Sequence, residues 1–482
     1  MNRGAAGRTR AAAGAGRAAG RGPRTATVAR TALTVATAAA VLVFGARAQT
    51  PQTPPPAPTQ QPTEVTTTIT SEAGTPPRFA VPDFIALSPD AETVDAAKTI
   101  GQVLWDDLNF EREFLLVPRD VYKTIPAATS FATVPFDRWH ELNADGLIVG
   151  TVQKTAAGIH VEVRLFSLKT RQSAFAKEYD GSVANPRIFA HTISDEIHQQ
   201  QRGLRGVART RLTFDSDRDG ERMLGTVESR GVKEIYISDY DGANQRRVTT
   251  GRSLNITPTW SPDGRSIAYT SYRHGPPNIF VSNIYQGTME ELTKSQGENW
   301  LPVWSPDGTK IAFSSTRTGN AEIYVMNRDG SNVRQITNHP SADISPTWNP
   351  SGTQIAFTSD RSGTPQIYVI GADGLGGVRK ITSESYADRP TWSPAPYNEI
   401  AFAARTGPGN DVKVIDLASG QVRQLTFGEG TNESPAFAPN GRHLAFMSTR
   451  SGKAQIFTIA RDGKNLRQVT RVGNNYQPDW SK

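Results

Sequence analysis

Six aromatic residues set a period on the C-terminal half of this chain: Trp260, Trp304, Trp348, Trp392, Phe437 and Trp480, standing 43 to 45 residues apart. In its fullest form the repeat reads Pro302-Val-Trp304-Ser-Pro306-Asp307-Gly308, then Ile311-Ala312-Phe313, Ile323-Tyr324-Val325 and Asp329-Gly330. Short β-branched and aromatic runs separated by Pro, Asp and Gly turns give four strands per unit, the period of a propeller blade. The second, third and fourth strands are expected at 311–313, 322–325 and 333–337. The last copy, ending at Trp480, holds one strand only. The three it lacks stand upstream at Arg211–Phe214, Lys233–Ile237 and Gln245–Thr249. Pairing both ends in one blade leaves no open sheet edge. Residues 208–482 are therefore predicted to form a closed six-bladed, all-β propeller.

The formal charge of +7 overstates the basicity of the folded part. Residues 1–48 carry eight arginines and no acid, so the remainder is close to neutral. Nucleic-acid binding loses its electrostatic basis. The same segment reads as a signal peptide: a basic stretch up to Arg30, a short apolar run from Ala32 to Val43, and Ala46-Arg47-Ala48 as a cleavage pattern. The apolar run is too short to span a bilayer, so export to the periplasm without membrane insertion is expected. The chain has no cysteine, which removes disulfide and thiolate chemistry.

Residues 49–77 read as a Pro-rich linker followed by an exposed N-terminal segment. Pro51 to Pro62 is an extended tract unable to pack a core. Glu64, Val65, Thr67 and Ile69 lie in an alternating run with two readings. It is either an edge strand of the following domain or a strand offered to a partner's sheet. Residues 78–205 have the order β-α-β-α-β-β-α, an α/β sandwich. Its first helix is placed over Ala91–Leu108, with Val94, Ala97, Ile100, Leu104 and Leu108 on one face. Its last covers Ile188–Gln200.

Catalytic signatures are absent. No Gly-x-Ser-x-Gly elbow occurs, and a propeller-linked peptidase would need a catalytic domain beyond Trp480. Asp215-Ser-Asp217-Arg-Asp219-Gly220 begins like a calcium loop, but its twelfth position is Thr226 where a bidentate Glu is needed. His191 and His198 flank Glu196 with no third ligand, which reads as packing before zinc. Recurrent pairs such as Asp360-Arg361 read as structural ties between blades. No cofactor or metal is expected.

One pair of columns points to binding. Three residues before the proline of each inner strand stand Asn255, Asn299, Asp343, Ala387, Asn432 and Asn475. The next positions are Ile256, Trp300, Ile344, Asp388, Glu433 and Tyr476. These segments join successive blades, so all should crowd round one mouth of the channel. A repeated Asx-turn accounts for the constant column. The varied column, with Trp300 and Tyr476 as aromatic anchors, reads as a partner-binding mouth.

Pieces outside the repeats carry a family resemblance: Asp145-Gly-Leu-Ile-Val-Gly150, Phe189-Ala-His191 through Asp195-Glu196, Thr210-Arg211-Leu-Thr-Phe, and Ile235 through Gly242. With the exported α/β-plus-propeller layout, the chain from Glu64 to Lys482 resembles the TolB family of the Tol–Pal system. The resemblance implies a non-enzymatic periplasmic adaptor. It implies that the mouth columns bind the peptidoglycan-associated lipoprotein Pal, and that the Glu64–Ile69 segment binds the inner-membrane protein TolA. Roles in outer-membrane integrity and cell division follow, and other outer-membrane proteins are possible further partners. The fourth repeat departs from the pattern, with Ala395-Pro396-Tyr397 in place of Asp-Gly. The competing reading is a propeller-based hydrolase or lyase, or a regulatory subunit of a peptidase.

Overall fold

A computed structural model describes the backbone of residues 59–62 and all atoms of 67–71, 75–222, 231–294 and 296–482. The signal-like segment, most of the Pro-rich tract, Glu64 and Val65 lie outside the described residues.

In the α/β region, strands β1 (Thr59–Pro62), β2 (Arg78–Ala80), β3 (Ile85–Ala86), β4 (Leu115–Leu116), β5 (Gly146–Thr155), β6 (Gly158–Ser167) and β7 (Ser173–Gly181) form one mixed sheet. Its order is β1-β7-β6-β5-β2-β4, with β3 also on β5. Period-2 alternation along β5 divides its side chains between two cores. Ile148 and Val152 face helices α1 (Ala91–Glu111) and α3 (Arg187–Arg202), while Leu147 and Val149 face Trp139 of the short α2 (Phe136–His140). Asp90 caps α1 by accepting the Thr93 N–H at 3.1 Å, and Arg112 ends it in a left-handed turn. The helix runs beyond Leu108 to Glu111, and that extra turn reaches the propeller.

The N-terminal segment departs from expectation twice. Thr59–Pro62, read as linker, adds antiparallel to β7. Backbone pairing at a sheet edge needs no apolar side chain and tolerates a terminal proline. Ile69, expected in an exposed segment, is 7 % exposed and packs in the α/β core, although Thr67 and Thr70 remain exposed. Its amide donates to Gln201 Oε1 at 2.8 Å, while Gln201 Nε2 donates to the Thr67 carbonyl at 3.0 Å.

The propeller has six four-stranded sheets. Blades 1 to 5 run consecutively from Asn255, Asn299, Asp343, Ala387 and Asn432. The sixth is composite: β10 (Arg246–Arg247), β9 (Glu234–Asp239), β8 (Arg211–Ser216) and the final strand Asn475–Trp480, in that order. The outermost strand of the second blade is shorter than expected, Arg334–Gln335 in place of 333–337, although the Ile336 N–H still donates to the Ile323 carbonyl at 2.8 Å. Two contacts lock the last inner strand to the first. Gln477 Oε1 accepts the Thr257 N–H at 2.9 Å, and Asp479 Oδ2 accepts the Trp260 N–H at 2.7 Å. Burial pushes the Asp479 carboxyl up to about 6.

The α/β region touches the turns at the ends of the inner strands, away from the Asn255 column. Phe110 stacks on His443 with ring centroids 4.4 Å apart, and Glu111 pairs with Arg442. Asn440 Nδ2 donates to Glu111 Oε2 at 3.2 Å, and Asn465 Nδ2 donates to the Phe110 carbonyl at 3.2 Å. Burial pushes the Glu111 carboxyl up to about 7, with Arg442 opposing. Among the described residues, the α/β region does not cover the opposite mouth of the channel.

Candidate interface at the propeller mouth

Each inner strand carries the same backbone irregularity. Register shifts between the mouth pair and the pair below it, for example between Ile256 and Thr259. The residues after the varied column, Thr257, Leu301, Ser345, Arg389, Ser434 and Gln477, have φ between 50° and 58°. Left-handed geometry costs a non-glycine residue about 1–2 kcal/mol. It is held here by the bulge, although a proline, which disfavours helical backbone in the residue before it, follows at every position. Those prolines, Pro258, Pro302, Pro346, Pro390, Pro435 and Pro478, line a channel of about 160 Å³. Proline suits this free inner edge because it leaves no N–H without a partner.

The two columns separate cleanly. Asn255, Asn299, Asp343, Asn432 and Asn475, expected to contact a partner, are buried and bonded inward. Asn299 Oδ1 accepts from Arg317 of its own blade at 3.0 Å, while its Nδ2 donates to Asn278 of the preceding blade at 3.1 Å. Asn432 joins Arg450 and Asp411 in the same way, and Asn475 joins Arg218 and Gln455. Asn255 donates to Glu234. An amide supplies acceptor and donor at one position, which is why asparagine recurs here. Asp343 instead accepts from one Arg361 nitrogen, Nη2, with both carboxylate oxygens, at 2.9 and 2.7 Å. Arg361 thus ties strands within its own blade, and the Asn column makes the ties between blades. At Ala387 the polar link is missing, and Arg405 lies over the Tyr386 ring.

The varied column lies at the open surface. Ile256, Trp300, Ile344, Asp388, Glu433 and Tyr476 are all half-buried on one mouth. Tyr476 is the most constrained, with Lys233 Nζ 3.5 Å from its ring centroid. That ammonium also pairs with the buried Asp215 at 3.0 Å, and burial pushes the Asp215 carboxyl up to about 6.

A second ring had been missed by the sequence reading. Each varied-column residue pairs across the strand with Asp215, Thr270, Ser314, Thr358, Ala403 or Met447. A signal for these residues existed: most stand three positions ahead of the recurring arginine. Arg389 was also missed, as the one charged residue among the six left-handed positions. Among the described residues no group of three metal-type ligands is brought together. His191 and His198 instead pack between α3 and its neighbours. The turn 215–220 binds its own blade through Lys233 and Tyr236.

Two family models match successive parts of the chain. One described as the TolB amino-terminal domain matches residues 65–174, and one described as the TolB beta propeller domain matches residues 199–482. The chain belongs to the TolB family. The crystal structure of TolB from Acinetobacter baumannii is similar over 84% of this chain and 97% of that one, at TM-score 0.71 and 25% identity. Proteins named Tol-Pal system protein TolB are 33% identical over 189 residues in Desulfosudis oleivorans and 35% identical over 177 residues in Geobacter sulfurreducens. Those alignments cover 39% and 37% of this chain and only 41% and 38% of the relatives. Among the described residues no helix is long and apolar enough to cross a membrane.

Proposed function

We propose that this TolB-family chain is a non-enzymatic periplasmic adaptor of a Tol–Pal system. It receives the peptidoglycan-associated lipoprotein Pal at the open propeller mouth and offers its N-terminal segment to TolA. The observation that carries the reading is the split between the two columns. One ring is spent on holding blades together, and the ring beside it presents six half-buried side chains of five kinds on the face that the α/β region leaves free. Repetition serves the fold, and variation serves one asymmetric partner. Relatives named for the Tol-Pal system support the choice of partner.

The N-terminal segment supports the TolA half. Thr67 and Ile69 are held by hydrogen bonds to Gln201 and to the Ala174 carbonyl at the edge of the α/β region, bonds of the kind a partner strand can compete for. Support of outer-membrane integrity and of constriction during division follows from this pairing.

Calorimetry with the soluble domain of Pal tests the reading. Wild type should bind, and Trp300→Ala/Tyr476→Ala should bind at least tenfold more weakly with its melting temperature unchanged. A correctly folded wild type that does not bind Pal defeats it.

A further inference from the structure

The mouth is not six-fold in its chemistry. Between blades 4 and 5 and the composite blade it opens sideways into a pocket of about 130 Å³, lined by Asp388, Arg389, Asn410, Glu433, Met447 and Tyr476 among others. The pocket exists because Ala403 and Met447 stand where other blades have Asp215, Thr270, Ser314 or Thr358. Ala403 is smaller than any of these and leaves room beside the rim, while Met447 gives the pocket an apolar wall.

Its two carboxylates differ in commitment. Asp388 accepts from Thr358 Oγ1 at 2.9 Å, from Tyr386 at 3.2 Å, from Ser345 at 3.3 Å and from the Arg389 N–H at 2.6 Å. The Arg389 guanidinium stands nearby, its Nε 3.9 Å from Asp388. Glu433 Oε1 accepts from Asn410 Nδ2 at 2.7 Å. Among the described residues Glu433 Oε2 has no donor, and no cation pairs with Glu433.

Asn410 supplies the independent observation. It is 9 % exposed, and its Oδ1 has no hydrogen-bond partner. The amide cannot be turned round, because Oδ1 would then face a carboxylate that only accepts. A buried acceptor without a donor is costly, and such a group in a pocket calls for a ligand's N–H.

Resting on the adaptor reading, we infer that this pocket takes a lysine side chain of the docked partner, its ammonium held between Glu433 Oε2 and Asn410 Oδ1. Both free atoms are acceptors, so the occupant must donate. A neutral amide would leave the Glu433 charge uncompensated. A guanidinium fork needs two parallel oxygens, and Glu433 has one to give. The Met447 side chain suits the methylene stem.

The probe is n-butylammonium, with n-butanol as control, titrated into the full chain while the Asn410 side-chain amide is followed by NMR. A saturable shift with the ammonium alone, absent in Glu433→Gln, is expected. No shift, or an equal shift with butanol, overturns the pocket assignment. In parallel, Glu433→Gln should weaken Pal about tenfold, and the loss should vanish against the one Pal lysine-to-methionine variant whose side chain fills the pocket. Wild-type affinity in Glu433→Gln overturns the inference and leaves the adaptor reading standing. If wild type does not bind Pal, the adaptor reading fails, and the amine titration still decides the pocket.

Discussion

His191 Nδ1 and Asp107 Oδ2 meet at 2.8 Å where α3, α1 and the composite blade converge, and both side chains are buried. Tyr240 of the propeller donates to the other Asp107 oxygen at 2.7 Å. Asp239 Oδ2 lies 3.8 Å from His191 Nε2, and Arg187 pairs with Asp239 and Asp241 beside it. The pair therefore bridges the α/β region and the propeller. Burial alone would lower His191, but Asp107 and Asp239 outweigh it and hold the imidazole up at about 10.

That position sets a pH dependence. The folded pKa lies above the unfolded value of about 6.5, so the stabilisation is complete below that pH and is lost as pH rises toward 10. The Glu111 carboxyl, at about 7, titrates below this window, and burial raises the Asp107 carboxyl that faces His191. Thermal unfolding should show a falling melting temperature between roughly pH 7.5 and 10 in wild type and a flatter profile in His191→Gln. Parallel profiles would show that His191 carries none of the slope.

Asp343 and Glu433 should respond differently to substitution. Asp343→Ala leaves the Arg361 guanidinium without its buried carboxylate partner and should cost about 3–5 kcal/mol, read by denaturant unfolding. Glu433→Gln keeps the Asn410 hydrogen bond and should stay within about 0.5 kcal/mol of wild type. Equal losses would erase the distinction between the ring that holds blades and the ring that meets a partner.

Removing residues 475–482 should open the ring. β8 would lose its inner neighbour and present a free edge, a template for pairing between chains. Size-exclusion chromatography of the truncated chain should show larger species than the intact chain forms. A monomeric truncation with an unchanged melting temperature would mean the final strand adds no closure.

Gln201→Ala removes both hydrogen bonds that bracket Thr67 and Ile69. Hydrogen exchange across residues 67–71 should speed up while β5 and β6 stay protected. Unchanged exchange would place the hold on this segment in Ile69 packing and the Thr67–Ala174 backbone bond.

The sequence made the propeller legible because its signals repeat. Trp304 and its counterparts, the Pro-Asp-Gly turns and the missing strands upstream of Asn255 leave one way to close the ring. The mouth was legible by halves. The Asn column could be located but not assigned to the interior, since its bonds run to Arg317, Asn278, Asp411 and Gln455, residues set by blade packing rather than by local pattern. The pocket at Asn410 lay beyond sequence reasoning for the same reason. It depends on Ala403 being small beside Glu433 of another blade, a relation between residues 30 positions apart. The docking of Ile69 was hidden by an alternating run that suits an edge strand and a free strand equally.

The composite blade has one more consequence. Trp480 Nε1 donates to Thr210 Oγ1 at 2.6 Å, and Ser481 Oγ accepts the Arg211 N–H at 2.8 Å, just where the chain passes from the α/β region into the propeller. One buried cluster contains Trp480, Phe214 and Tyr240 together with Phe110 of α1. The clasp of the ring is also the hinge pin of the neighbouring domain. Unfastening either one strips apolar cover from the other, so the two parts should come undone in a single cooperative step.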